Sequence, residues 1–155
     1  MAIERPLQDS TAADLSSLVG MRFPDGEYTI SVAANDRLCR LVQAPPLPAG
    51  AAHPVWAHLA THIGKGLTFT EFAEVVGAPI DAGYLFGGGS LEFWEPIRLG
   101  TRYRVCGGIV SAVARVGRRT GPFDVITTEL DLVDLTRDRR VSRSVESYIV
   151  PRRAA

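Results

Sequence analysis

The chain has 155 residues, enough for one domain with its own hydrophobic core, so we interpret residues 1–155 as a single domain. Acidic and basic residues balance at 17 each, which excludes a net charge that would attract nucleic acid or an anionic membrane surface. Cys39 and Cys106 lack C-x-x-C spacing and no apolar run approaches ~18 residues, so we expect a soluble, cytoplasmic protein without disulfides, zinc or membrane spans.

The sequence predicts that the first half of the chain is mainly helical. Capping residues, turn residues and apolar spacing predict helices over 10–20, 33–42 and 54–63, with a strand over 21–30 between the first two. Thr68 and Glu71 have the spacing of a capping box, which predicts a further helix that ends at Gly77. The segment 54–63 is the most apolar of these helices, so we predict that it lies at the centre of the fold.

After Gly83 the sequence alternates as strands do, and turns at 118–121 and 136–139 join long neighbours in the manner of antiparallel hairpins. For the last strand, we predict a core face made of three aliphatic residues, Val141, Val145 and Ile149. The opposite face is then Ser142, Ser144 and Glu146. Helices followed by antiparallel strands indicate an α+β fold, a curved sheet wrapped on a central helix. Ferredoxin-like and cystatin-like arrangements also satisfy this periodicity.

One segment carries a family resemblance. Residues 88–101 read Gly-Gly-Ser-Leu-Glu-Phe-Trp-Glu-Pro-Ile-Arg-Leu-Gly-Thr, which resembles the sheet-entry motif of MaoC-like hotdog proteins. These are (R)-specific enoyl-CoA hydratases and related dehydratases. Five positions keep the pattern: Glu92, Phe93, Pro96, Arg98 and Gly100. Ser90 and Thr101 replace commoner acidic residues. A looser match runs over 18–151, and it implies a hotdog fold, a curved antiparallel sheet around a central helix.

The same resemblance predicts that the chain lacks the catalytic pair of the family. MaoC-like hydratases carry an Asp-x-Asn-Pro-x-His motif after the helix that follows the first strand. The corresponding segment 41–54 holds His53 but neither an aspartate nor an Asn-Pro pair. Since hydration of an enoyl thioester needs an acid and a base, only three isolated candidates remain for catalysis, His53, Asp81 and Glu92. The resemblance is closest to the N-terminal, catalytically silent hotdog type.

Candidate substrate-binding residues lie around the glycine-rich strand. Gly87, Gly88 and Gly89 leave a backbone without side-chain walls, which suits the close approach of another backbone or of an extended ligand, and also an ordinary β-bulge. Nearby aromatic residues, namely Trp56, Tyr84 and Phe86, could wall an acyl pocket or simply fill the core. His58 and His62 are four residues apart on a predicted helix, but no third ligand has suitable spacing, so we expect no metal and no cofactor.

The leading functional hypothesis is a non-catalytic MaoC-like subunit that completes the acyl-binding tunnel of an (R)-type enoyl-thioester hydratase or dehydratase. Its partner would be a second copy or a catalytic hotdog chain, because a hotdog sheet leaves an edge strand that needs cover. Its substrate would be a thioester of CoA or acyl carrier protein. Two alternatives stay open: a stand-alone hydro-lyase or thioesterase with a non-standard site, and a non-enzymatic protein that binds acyl or polyketide-like ligands.

Overall fold

Apart from one short strand, the helices precede the strands in the computed structural model, which describes residues 14–78 and 83–152. The described helices are α1 (Leu15–Leu18), α2 (Val32–Leu41), α3 (Trp56–Gly64) and α4 (Phe69–Val75). The strands are β1 (Gly26–Thr29), β2 (Leu85–Phe93), β3 (Arg102–Gly117), β4 (Gly121–Asp134) and β5 (Arg139–Pro151). The predicted order of elements is therefore confirmed. The predicted start of the first helix lies outside the described residues, and Asp14 caps the helix where the description begins.

The five strands form one antiparallel sheet in the order β1-β3-β4-β5-β2. The hairpins β3–β4 and β4–β5 lie where the sequence predicts turns, so long neighbours in the chain are also neighbours in the sheet. The two edges differ in length, since β1 has four residues and β2 has nine. The glycine-rich segment thus forms the long edge of the sheet.

Helix α3 lies on the inner face of the sheet and contacts four of its strands, β1, β3, β4 and β5. A close approach fixes its C-terminal end: a Cβ at Gly64 would lie 2.8 Å from Tyr28 Cβ and 2.9 Å from Val105 Cγ2. Trp56, Ala57 and Ala60 bury the other end of the helix in a core cluster that includes Tyr103 and Leu132. The predicted α+β arrangement around a central helix is confirmed.

The capping box predicted before α4 is also present. The Thr68 hydroxyl accepts a hydrogen bond from the Glu71 backbone, and the Glu71 carboxylate accepts one from the Thr68 backbone at 2.7 Å. These two bonds satisfy backbone donors that a helix start otherwise leaves free, so they fix where α4 begins. Helix α4 then buries Phe72 against Phe23 and Tyr148, in a second core cluster.

The predicted core face of the last strand is wrong beyond Val141. The register between β4 and β5 shifts next to Leu132, so Val141 and Ser142 are both fully buried. Past this bulge the alternation continues one residue out of phase. The inner face of β5 consequently carries Ser142, Ser144, Glu146, Tyr148 and Val150, whereas Val145 and Ile149 are only half-buried.

Candidate functional site

The glycine-rich start of β2 forms a bulge against β5. Its register with β5 shifts between Phe86 and Gly88, and Gly88 has a φ of 142°, which favours glycine. Gly89 pairs with Glu146, and a Cβ at Gly89 would lie only 2.7 Å from the carbonyl oxygen of Val145. The three glycines therefore allow the strand to kink and to lie closer to β5 than any other residue would permit.

A cavity of about 260 Å³ opens between this strand, β5 and the first turn of α3. Val55, Phe86 and Leu91 give it apolar walls. Its floor is polar and is made by His58, Ser144 and Glu146. Complete small-molecule sites enclose about 300–1,000 Å³. The cavity is therefore suited to part of an elongated apolar ligand rather than to a whole one.

Glu146 is the centre of the polar floor, and only 1% of its surface is exposed. Three side chains donate hydrogen bonds to its carboxylate. His58 Nδ1 lies 2.8 Å and Ser144 Oγ 2.9 Å from Oε1, while the Tyr148 hydroxyl bonds to Oε2. Helix α3 and strand β5 together position these groups, because Ser144, Glu146 and Tyr148 alternate on one face of β5 below His58.

The electrostatics of this cluster favour an ionised carboxylate. Burial alone would raise the pKa of Glu146, but the hydrogen bonds from Tyr148, Ser144 and His58 outweigh it and hold the pKa below its ordinary value. The same contact has the opposite effect on Tyr148, whose hydroxyl pKa is raised by burial and by the neighbouring carboxylate. The tyrosine therefore stays protonated and acts as a permanent donor to Glu146.

His58 connects this carboxylate to the cavity. Its side chain is 33% exposed, and because ionised Glu146 can only accept hydrogen bonds, Nδ1 carries the proton in that contact. The second ring nitrogen, Nε2, makes no hydrogen bond with any residue of the described ranges. The ring stacks on His62 at 5.9 Å and meets the edge of Phe86 at 5.8 Å. His58 is thus held in one orientation with one nitrogen left for a ligand.

A second pair of basic groups continues along the same face of α3. Lys65 is buried, and its Nζ lies 3.5 Å from His62 Nδ1 and 5.5 Å from the centre of the Phe72 ring. Burial lowers the pKa of Lys65, and burial followed by repulsion from Lys65 lowers the pKa of His62. Neither residue lines the cavity, so the polar floor depends on His58 and Glu146.

Two of the three candidate catalytic residues from the sequence, His53 and Glu92, lie away from this cavity. His53 lies before α3, where its Nδ1 accepts a hydrogen bond from the Val55 backbone at 3.2 Å. Glu92 is exposed on the far part of β2, and Asp81 lies outside the described residues. Neither His53 nor Glu92 lines the cavity. Their catalytic roles remain untested predictions.

The candidate substrate-binding residues divide into two groups. Phe86 and Gly89 line the cavity, and Gly87 and Gly88 form the bulge beside it. Trp56 instead belongs to the core, where its indole N–H donates to Asn35 Oδ1 at 3.1 Å.

Tyr84 also packs away from the cavity, stacking on Phe69 at 4.5 Å and meeting Tyr148 edge-on at 5.4 Å. Burial, and then the charge of Glu146, raise the pKa of Tyr84 to about 12. A binding role for Trp56 or Tyr84 is still a prediction that nothing tests.

A larger cavity of about 360 Å³ lies on the outer face of the sheet, but its lining is ionic. Arg143 crosses it and contacts Glu129 and Asp131, each at 2.7 Å. Within the described ranges, no three His, Cys, Asp or Glu side chains gather as a metal site. No helix among these residues is long and apolar enough to span a membrane.

Comparisons with known proteins identify structural neighbours of several kinds, with dehydratases and a thioesterase among them. A MaoC-like dehydratase from Rhodospirillum rubrum shares 22% sequence identity at a TM-score of 0.63, over 91% of this chain and 98% of that one. The truncated HadBC complex, a 3R-hydroxyacyl-ACP dehydratase from Mycobacterium tuberculosis, shares 13% at a TM-score of 0.63, over 85% and 96%. The ChsH1-ChsH2 complex from the same organism shares 9% at 0.64, over 86% and 90%.

Comparisons of the sequence without the structure find no related protein. No protein-family model matches the chain, and no curated protein sequence is significantly similar to it. The structural likeness at identities of 9% to 22% establishes the fold. The chain accordingly has the α+β hotdog fold, and MaoC-like dehydratases are among the structures that share it.

Proposed function

We propose that this chain is the acyl-binding half of a two-hotdog (R)-type enoyl-thioester hydratase or dehydratase, and that a second hotdog chain supplies the catalytic acid and base. The observation that carries the proposal is a partial, mostly apolar cavity beside the long open edge of the sheet. An acyl chain is an elongated apolar ligand, so a cavity of about 260 Å³ would hold one stretch of it. The second chain would enclose the remainder.

The edge strand β2 supports the existence of a partner. No other described strand pairs with its outer side, and five large apolar side chains on or next to it are 40–63% exposed: Leu85, Phe86, Leu91, Phe93 and Trp94. A long apolar edge invites pairing with another chain, and proteins usually cover it. The structural neighbours HadBC and ChsH1-ChsH2 are themselves complexes of two chains.

The missing motif supports the division of labour. The segment between α2 and α3 lacks the aspartate and the Asn-Pro pair that the resemblance leads one to expect, and His53 there bonds to the helix start. Addition of water to an enoyl thioester needs a base for the water proton and an acid for C2. A partner chain that carries Asp-x-Asn-Pro-x-His would provide both groups.

The experiment compares the isolated chain with a mixture. The partner to be tested is any hotdog chain bearing the acid–base motif that is encoded next to this one in the genome, and the substrate is trans-2-octenoyl-CoA. We expect hydration by the mixture, loss of hydration when the partner's motif aspartate is changed to asparagine, and none by this chain alone. Brisk conversion by this chain alone would contradict the proposal. If the mixture binds the thioester without converting it, a binding protein without turnover becomes the better description.

A second candidate is a stand-alone hydro-lyase, and the His58–Glu146 pair favours it. In this case Nε2 of His58 would take a proton from water while the water oxygen bonds to C3. The electrons of the C2–C3 double bond would move toward the thioester oxygen, and Nε2 would return the proton to C2. Glu146 would hold the imidazole in the required tautomer. Turnover by the isolated chain that disappears in the His58→Gln variant would establish this candidate.

A further inference from the structure

We propose that Nε2 of His58 binds a hydroxyl group on the acyl chain, so that this subunit selects thioesters oxygenated at a position away from the reacting carbons. The inference rests on the proposed function, because it assumes that an acyl chain occupies the cavity. It adds the chemical class of that chain. A purely alkyl substrate would leave the polar floor without a hydrogen-bond partner and would therefore bind more weakly.

The first step is that Glu146 is bound from inside the protein and is too buried to meet a ligand directly. His58, Ser144 and Tyr148 occupy both carboxylate oxygens from inside the protein, and the residue is almost fully buried. Taking a charged carboxylate out of water is unfavourable unless it is fully hydrogen-bonded. For the cavity, the effect of Glu146 is to fix His58, so the proton of the neutral imidazole ring stays on Nδ1.

The second step concerns the nitrogen that remains. Nε2 bonds to nothing within the described ranges, and the one-third exposure of the side chain lets water satisfy it in the empty cavity. An acyl chain would displace that water. A methylene group gives Nε2 nothing in return, and a buried polar atom without a partner weakens binding by about tenfold or more. An oxygen-containing group on the part of the acyl chain next to Nε2 would restore the lost hydrogen bond.

A hydroxyl fits better than other oxygen groups. Neutral His58 presents Nε2 as an acceptor, and a hydroxyl can donate to it; protonated His58 presents a donor, and the same hydroxyl can accept. A keto group satisfies only the protonated form. The rest of the wall, with Val55, Phe86 and Leu91, is apolar, so the substrate would be an alkyl chain with one hydroxyl rather than a generally polar ligand.

The position of the hydroxyl follows from the proposed function. If the partner chain holds the acid and base, then the carbonyl carbon, C2 and C3 lie at the partner's residues. The cavity of this chain then holds a more distant stretch of the acyl group. The hydroxyl that meets His58 is consequently not the one that hydration creates at C3.

The test measures affinities, so it does not depend on turnover. Decanoyl-CoA is compared by calorimetry with isomers hydroxylated at C3, C5, C7 or C9, using this chain alone and with its partner. We expect one isomer hydroxylated beyond C3 to bind about tenfold more tightly than decanoyl-CoA. In His58→Phe the preference should vanish, and decanoyl-CoA should bind at least as well as it does to the wild type.

Two further variants separate recognition from folding. His62→Phe keeps a ring stacked on His58 and lies outside the lining of the cavity, so it should retain the preference. His58→Gln keeps a polar terminus and should retain part of it, which guards against a misleading result if the phenylalanine variant folds poorly.

The possible failures are distinguishable. Equal affinity of the wild type for all five thioesters overturns this inference alone, and so does a preference that survives in His58→Phe. A preference confined to the C3 isomer and lost with His58 also overturns it, because His58 would then contact the reacting carbons. If no thioester binds to the chain, with or without its partner, the proposed function fails together with the inference.

Discussion

Two buried carboxylates on the inner face of the sheet have opposite surroundings. Asp124 lies near the start of β4 and Glu146 in the middle of β5, and both are at most 5% exposed. Both face the helices. Their partners differ, since an arginine neutralises Asp124 whereas Glu146 is bound by two hydroxyls and an imidazole.

The partner of Asp124 uses all three of its guanidinium nitrogens for contacts within the fold. Arg152 Nε lies 2.6 Å from Asp124 Oδ2, and the other two guanidinium nitrogens donate to the carbonyl oxygens of Gly77 at 2.7 Å and Val76 at 2.9 Å. Those carbonyls end helix α4, where a cation is favourable. Arg152 therefore joins the end of a helix to the end of the sheet, and each of its guanidinium nitrogens has a partner within the protein.

Glu146 shows the other outcome for the same chemical group. One of its partners, His58, lines an apolar cavity and uses only Nδ1 for the carboxylate, so Nε2 has no bond to any described residue. The comparison indicates that the partner, and not burial, decides whether a buried carboxylate serves only the fold or also serves a site. Substitutions at either carboxylate, at its partners or at the adjoining backbone can test this comparison.

The largest expected effect is on the structural side. Arg152→Met leaves Asp124 without its cation and frees two helix-terminal carbonyls, and breaking one side of a buried ion pair costs about 3–5 kcal/mol. Urea denaturation at neutral pH should show a loss of that order in the free energy of unfolding. Arg102→Met is the control, because Arg102 pairs with Glu27 on the exposed surface and should change little.

The double variant Asp124→Leu/Arg152→Met sharpens the interpretation. Replacing both charges by apolar side chains removes the unpaired carboxylate, so most of the lost stability should return even though the pair stays absent. If the double variant were as unstable as Arg152→Met, the carbonyl contacts of Arg152 would be the main contribution rather than Asp124.

An intermediate effect is expected at Glu146, and it depends on pH. The folded-state pKa lies below the ordinary value of about 4.3, so its contribution is fully present above that pH and is lost as pH falls through the folded value. Glu146→Gln should cost about 1–3 kcal/mol at neutral pH. Between pH 5 and pH 3, unfolding of this variant should depend less on pH than unfolding of the wild type.

Glu129→Gln is the matched control for that pH series. Glu129 lies on the outer face of β4, where it is partly exposed and pairs with Arg143. The variant should follow the wild-type curve closely, because a surface ion pair contributes little. Parallel curves for the wild type and Glu146→Gln would mean that the carboxylate is not held ionised by Tyr148, Ser144 and His58.

Features encoded locally were predictable from the sequence. The capping box of Thr68 and Glu71 needs only a three-residue spacing, and the central helix needs only its apolar pattern. The glycine triplet predicted a bulge or a close backbone approach, and it forms both. In each case the deciding interaction lies within one element or one strand pair.

The site itself was not predictable in the same way. His58 and Glu146 are 88 residues apart in the sequence. The strand pattern placed Glu146 on the solvent face, because Val141, Val145 and Ile149 all lie at odd-numbered positions and would share the opposite face of a regular strand. A single bulge next to Leu132 exchanges the inner and outer faces for the rest of β5. Such a bulge follows from pairing between strands, which no pattern within one strand reveals. The useful signal would have been a run of polar residues on alternate positions, Ser142, Ser144 and Glu146.

The smallest expected effect concerns the backbone that brings the cavity and Glu146 together. In Gly89→Ala the new methyl group would lie 2.7 Å from the Val145 carbonyl oxygen, so β2 must move away from β5 at a cost of about 1 kcal/mol, the lower end of the range for overpacking at an open sheet edge. The methyl group also points toward Glu146 Cγ at 3.6 Å, so octanoyl-CoA should bind more weakly.

The control is Ser90→Ala, because Ser90 lines the same cavity but its substitution adds no such contact. This variant should retain both stability and affinity. If Gly89→Ala loses stability but binds normally, the glycine serves the edge of the sheet and the cavity tolerates the shift. If it loses affinity alone, the position of Glu146 relative to β2 sets the shape of the site.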